Sequence, residues 1–231
     1  MEVSPKPARQ RPALADNVNE NSRSYKAGLF RGGKLRVLKK QLHIASWNVE
    51  GLTDAKIIEL QKHMWEMGID ILCIQDTHCS QSPYYLTEEG YLVILSGSED
   101  ESDHQYAGVG FLIAPDTRRS VIGFLQASPR YASLKIRVSG GKLVITSAYS
   151  PHSGKPYPDR QAFYDELSAH IANQSFHGFQ MVLGDFNARL HRAFPGEEEI
   201  LGPYVFGNPQ SLNLVQNPID PCLLIYAHPK G

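Results

Sequence analysis

Asp185 and Asn187 lie in the run Met181-Val182-Leu183-Gly184-Asp185-Phe186-Asn187-Ala188-Arg189-Leu190, where an apolar stretch meets a glycine and then sets a carboxylate and a carboxamide two residues apart. At that spacing both side chains fall on one side of an extended chain, at the point where a buried strand opens into a loop. Polar chemistry in α/β enzymes sits at such strand ends. Three more residues take similar places: Asn48 near the end of an alternating run, Asp76 directly after Gln75, and Tyr149 in Ala148-Tyr149-Ser150-Pro151. Singly, each has an ordinary structural use, as a turn former, a loop cap or a core aromatic with a wet hydroxyl. In chain order and in their local contexts they form a candidate site.

The elements that must position these residues are legible in the apolar pattern. Leu42 to Val49 alternates as a strand does and is broken by Glu50-Gly51. Asp54 is placed to cap a helix in which Ile57, Ile58, Leu60, Met64 and Trp65 form an apolar face ending at Gly68. Ile69 to Gln75 is an apolar run of strand length, so the segment reads as a strand, helix, strand unit. Five strand-length runs follow, at Tyr91 to Leu95, Val109 to Ala114, Val121 to Leu125, Tyr131 to Val138 and Leu143 to Tyr149. Gly140-Gly141 signals a hairpin between the last two. A second helix fits Asp159 to Asn173, with Phe163, Leu167 and Ile171 on one stripe, and Gln180 to Leu183 returns as the strand that delivers Asp185. Mostly antiparallel strands with helices at two points predict an α/β protein of two packed sheets covered by helices.

The 231 residues divide into a basic leader, 1–41, and a domain, 42–231. The leader carries ten Lys/Arg against three Asp/Glu and lacks apolar periodicity, so disorder is expected there. The remainder carries thirteen against twenty-one. A basic arm suits phosphate contacts, and an acidic body suits a cation-binding cleft as well as plain solubility. No apolar run is long enough for a membrane helix and the start does not read as a signal peptide, which predicts a soluble, intracellular protein. Cys73, Cys79 and Cys222 are odd in number and lack metal-ligand spacing, so reduced thiols and no zinc site are expected.

Several motifs resemble the endonuclease/exonuclease/phosphatase superfamily, and in particular the endonuclease domain of LINE-type retrotransposons. Trp47-Asn48-Val49-Glu50-Gly51-Leu52 is similar to that group's opening motif, and Ile74-Gln75-Asp76-Thr77-His78 to its Gln-Glu-Thr-His motif. Gly108-Val109-Gly110-Phe111, Tyr149-x-Pro151 and Gly184-Asp185-Phe186-Asn187 complete the set, over about Leu42 to Leu190. The resemblance implies a DNase I-like fold, a four-layer αββα sandwich. It also implies hydrolysis of a phosphodiester with Mg²⁺ or Mn²⁺, most plainly the nicking of DNA. Asn48 and Asp76 would hold the metal, Asp185 would orient or activate water, and Asn187 and Tyr149 would hydrogen-bond the phosphate. Arg130, Arg160 and Arg189 are candidate phosphate contacts. A reverse transcriptase, or another domain of a longer polyprotein, and a nuclear location are implied by the same likeness.

Two departures from the family pattern stand out. The metal-binding Glu of the family is Asp76 here, which draws the carboxylate back by ~1.5 Å. After Asn187 the family's Ser-Asp-His element is not found, and its last strands are expected to be missing. The same motifs would serve a phosphatase acting on a small phosphoester. A domain lacking the base would instead be a binding module for nucleic acid or protein.

Overall fold

The computed structural model describes residues 23–26, 41–98, 107–174 and 178–188. They form two five-stranded sheets and two long helices. The first sheet contains β2 (Ile44–Asn48), β3 (Ile71–Gln75), β4 (Tyr84–Leu86), β5 (Leu92–Ser96) and β6 (Val109–Ile113), in the order β2-β3-β6-β5-β4. The second contains β1 (Arg23–Lys26), β7 (Val121–Ser128), β8 (Tyr131–Val138), β9 (Gly141–Tyr149) and β10 (Phe179–Asp185), in the order β1-β7-β8-β9-β10. Helix α1 (Asp54–Met67) joins β2 to β3, and α2 (Tyr157–Ala172) joins β9 to β10.

Alternation of side chains along the buried strands produces the layers. In β3, Ile71 and Cys73 face the second sheet, where Phe124, Leu134, Ile136 and Ile145 meet them in the central core. The intervening Leu72 and Ile74 face outward and pack under Ile57, Leu60 and Met64 of α1. On the far side, Phe163, Tyr164 and Leu167 of α2 cover Tyr131 and Ala148. A strand buried on both faces reads as a continuous apolar run, as β3 does. The expected four-layer αββα sandwich, an α/β fold of DNase I-like type, is the fold of the protein.

The N-cap of helix α1 lies one residue before the expected Asp54. Thr53 is the N-cap, its Oγ1 accepting from Lys56 N at 3.2 Å, and Asp54 takes the first helical position, where its charge meets the helix dipole. Gly68, at φ 66°, ends the helix in the left-handed conformation that glycine tolerates best. The expected apolar face divides in two: Ile57, Leu60 and Met64 are buried, whereas Ile58 is 64% and Trp65 81% exposed. Residues seven apart share a helix face, and this pair lies outside the stripe that meets the sheet.

Most strand pairs are antiparallel, but β2 with β3 and β9 with β10 are parallel. These are the pairs spanned by helices, as parallel neighbours require. Gly184 faces Ala148 across the β9/β10 pair, and a Cβ there would fall 1.8 Å from the Ala148 carbonyl oxygen. The strand that carries Asp185 therefore needs glycine at this place.

Strand β4 had no clear sequence signal. Strand β1, inside the segment expected to lack order, pairs antiparallel with β7. Residues 1–22 and 27–40 of the leader, Cys222, and the segment in which further strands were expected to be missing lie outside the described residues. No described helix is long and apolar enough to cross a membrane.

Candidate active site

Each parallel pair sends two strand ends in one direction. Asn48 sits at the end of β2 opposite Gln75, so Asp76 leaves the neighbouring strand beside it. Tyr149 and Asp185 are register partners at the ends of β9 and β10. Strand β10 packs on β2 and β3, which brings the two pairs together.

The join between the halves is a direct hydrogen bond, Asn48 Nδ2 donating to Asp185 Oδ2 at 2.8 Å. The other carboxylate oxygen of Asp185 accepts from the backbone N–H of Asn187 at 2.9 Å. Asn187 Nδ2 donates to the Ser150 carbonyl at 2.7 Å, and Ser150 N donates to the Asp185 carbonyl at 2.9 Å. Asn48 Oδ1 accepts from Glu50 N at 3.0 Å. These bonds fix the carboxylate and both carboxamides before any substrate arrives.

Asp76 is the second charged centre. Its side chain is 15% exposed, and Oδ1 lies 3.1 Å from His78 Nε2. The Tyr149 hydroxyl also donates to Asp76. Its pKa is pushed up to about 12, first by burial, then by the Asp76 charge and that hydrogen bond, then by Asp185, with Arg130 opposing them. Tyr149 thus keeps its proton and remains a donor at neutral pH. Beneath the site, Ser46 Oγ donates to Gln75 Oε1 at 3.1 Å, and Gln75 Nε2 donates to Ser147 Oγ at 2.9 Å, tying one sheet to the other.

The loops are held in unusual conformations. The non-glycine residues with positive φ among those described are Glu50, Asp76, His78 and Asn187, all in loops at these strand ends. Such conformations persist where their surroundings over-determine them, and they concentrate at functional sites. Lys56 supplies part of that constraint, its Nζ donating to the carbonyls of Val49, Glu50 and Gly51.

Oxygen atoms dominate the donor set. Among the described residues no three His, Cys, Asp or Glu side chains converge as in a zinc site. The Asp76 carboxylate and the Asn48 amide oxygen, on neighbouring strand ends, match instead the sparse hard-oxygen set that suits Mg²⁺, which retains several waters and takes few protein ligands. The residues fit such a cation.

A sequence profile of the Endonuclease/Exonuclease/phosphatase family matches residues 45–206, well over half of the chain. The chain belongs to this family. It is similar to craniofacial development protein 2 of Bos taurus, at 22% identity over 169 residues, covering 73% of this chain and 27% of that protein. The counterpart in Tragulus javanicus is 21% identical, with 73% and 28% covered. The chain thus spans little more than a quarter of the length of these curated relatives. Similar solved structures include an AP endonuclease from Archaeoglobus fulgidus, with TM-score 0.46, 19% identity, and 64% and 58% of the two chains covered. A humanized TDP2 of D. rerio gives 0.45, 16%, 64% and 63%. The endonuclease domain of TRAS1, a telomere-specific non-LTR retrotransposon, gives 0.43, 12%, 65% and 61%.

Within this Endonuclease/Exonuclease/phosphatase domain, the structure brings together Asn48, Asp76, Tyr149, Asp185 and Asn187. Arg130 joins them, its guanidinium 5.6 Å from the centre of the Tyr149 ring. Arg160 lies in the first turn of α2, over the ring of Tyr157 at 5.7 Å. Arg189 lies outside the described residues. Sequence reasoning gave no role to His78 and overlooked Lys56. The two-residue spacing of Asp76 and His78 was a usable signal for the first, whereas nothing in a helical lysine announces that it caps a neighbouring loop.

Proposed function

We propose that this chain cleaves phosphodiester bonds in DNA, nicking it in the presence of Mg²⁺ or Mn²⁺, in the manner of a LINE-type endonuclease. The observation that carries the reading is the Asn48–Asp185 hydrogen bond, which gathers the strand ends of both sheets around one oxygen-rich corner. Asn48 and Asp76 are the residues that would hold the cation, whose chemistry when bound is to polarise a phosphoryl oxygen and steady the leaving oxyanion.

The chain's own groups supply the rest. Asp185, fixed through both oxygens, orients and activates water. Asn187 is exposed and retains a second amide N–H beyond the one given to Ser150, which suits it to a phosphate oxygen. Tyr149 offers a hydroxyl whose proton is firmly held. His78 positions the Asp76 carboxylate. Arg130, together with Arg160 and Arg189, would contact the DNA backbone, giving recognition by charge and shape.

The test is nicking of supercoiled plasmid by the purified full chain with Mg²⁺ or Mn²⁺, beside Asp185→Ala. Metal-dependent nicking that disappears in the variant supports the proposal. Equal nicking by both proteins overturns it, and DNA binding with no nicking by either assigns the chain to a non-catalytic binding role.

A further inference from the structure

Lys56 lies in the first turn of α1, at a place where the helix itself has no use for a cation. It follows the Thr53 cap by one turn, and its backbone N–H donates to that cap at 3.2 Å. The helix dipole favours an acidic side chain there, and a glutamate or glutamine at this position would close a capping box. The half-buried lysine side chain instead reaches back to the loop between β2 and α1. Its Nζ donates to the carbonyls of Val49, Glu50 and Gly51, the last two at 2.9 Å. A lysine ammonium has three N–H donors, so all of them serve one turn of backbone.

The N–H groups of the same turn face the candidate site. Val49 N donates to the Gln75 carbonyl at 3.0 Å, Gly51 N to that of Asp76 at 2.7 Å, and Leu52 N to that of Thr77 at 3.0 Å. Glu50 N donates to Asn48 Oδ1 at 3.0 Å. The carbonyls thus converge on Lys56, and the N–H groups on Asn48 and the backbone that carries Asp76. To do so, Glu50 and Gly51 take φ of 47° and 85°. Without the ammonium, three carbonyl dipoles would point towards one place with no donor between them, and the left-handed backbone at Glu50 would lose what holds it.

We propose that Lys56 is a positioning residue for the cation site: by gathering the three carbonyls it fixes where the Asn48 amide oxygen stands relative to the Asp76 carboxylate. The assignment rests on the reading that Asn48 and Asp76 hold the cation. The Lys56 ammonium bonds to backbone carbonyls alone, so its influence on both residues passes through the turn. Groups that orient metal ligands in this way change metal affinity or activity by roughly ten- to a hundredfold when removed.

The test compares the full chain with Lys56→Met, which keeps the apolar stem and removes the donors. Amide hydrogen exchange is expected to quicken about tenfold or more at Glu50, Gly51 and Leu52, with the β3 amides and the melting temperature unchanged. The Mn²⁺ concentration for half-saturation, read by calorimetry, should rise roughly tenfold, and nicking should follow it with the KM for DNA unchanged. In Lys56→Ala, ethylammonium is expected to restore both exchange protection and metal affinity. Tetramethylammonium, of equal charge but without N–H donors, should restore neither. Unchanged exchange in the turn, or unchanged Mn²⁺ affinity, overturns the proposal, and rescue by tetramethylammonium overturns it by reducing Lys56 to its charge. A lowered melting temperature with equal quickening across β3 overturns it too, and makes Lys56 a general stabilising residue. A wild-type chain that takes up no Mn²⁺ overturns the functional reading and with it the metal role of Lys56, whereas the exchange and rescue measurements still decide whether the lysine holds the turn.

Discussion

Asn48 and Asp185, 137 positions apart in the chain, share a hydrogen bond of 2.8 Å between the ends of strands in different sheets. The bond leaves neither residue independent of the other. Each single alanine variant, Asn48→Ala or Asp185→Ala, is expected to lower the nicking rate by about a hundredfold or more. The double variant should be little worse than the weaker single, because groups that act as a unit are not additive. Initial-rate measurements on all four proteins check this, and strictly multiplicative losses would show that the bond has no part in the reaction.

In the proposed reaction Asp76 is a residue that would set the response to metal. The shorter carboxylate is held by His78 and Tyr149, and Mg²⁺ tolerates little error about its ~2.0–2.1 Å bonds. Asp76→Glu is expected to shift the Mg²⁺ dependence of nicking several-fold towards lower concentration, and calorimetric titration with Mn²⁺ should move the same way. An unchanged titration would remove Asp76 from the cation's surroundings.

Gly184→Ala should destabilise the fold by about 1–3 kcal/mol or more, because the new methyl group meets the Ala148 carbonyl and must push β10 off β9. Gly123→Ala is the control: its Cβ would meet only Lys135 carbons at 3.9 and 4.0 Å, and a change within about half a kcal/mol is expected. Urea unfolding of both variants distinguishes the steric account from a general intolerance of strand substitutions.

Burial, and then the charge of Lys135, hold His170 down to about 4 from its ordinary 6.5. Its Nε2 lies 2.8 Å from Ser133 Oγ and 2.9 Å from the donating Nε2 of Gln174, an arrangement that needs a neutral ring accepting at that nitrogen. Between the two values the unfolded chain binds the proton and the folded chain does not. Stability is therefore full above 6.5 and declines as pH falls towards 4, by roughly 1–2 kcal/mol once the ring's partial contact with solvent is allowed for. His170→Gln should flatten this part of the profile, measured as unfolding midpoints across that range.

The apolar runs disclosed the layers because a strand covered on both faces must be apolar throughout, and β3 is such a strand. The gathering of Asn48, Asp76, Tyr149 and Asp185 at neighbouring strand ends was legible for a related reason, since each follows or closes such a run. Strand β4 was not legible, since Tyr84–Leu86 is short, half-exposed and held mainly by pairing with β5. Nor was the division of α1 into a buried stripe and an exposed Ile58–Trp65 face, because apolarity alone does not say which side of a helix meets the sheet. The His78–Asp76 contact depends on left-handed backbone at both residues, which their identities do not encode.

The two parallel strand pairs also bear on the order in which the molecule assembles. Within each pair, the candidate residues are separated in the chain by one helix, its connecting loops and a strand, so β2-α1-β3 and β9-α2-β10 can each form from comparatively local contacts. Joining Asn48 to Asp185 requires the central strands to be in place and a far longer loop to be closed. The half-sites are therefore expected to form before the site, with the hydrogen bond that unites them made in a late step of folding.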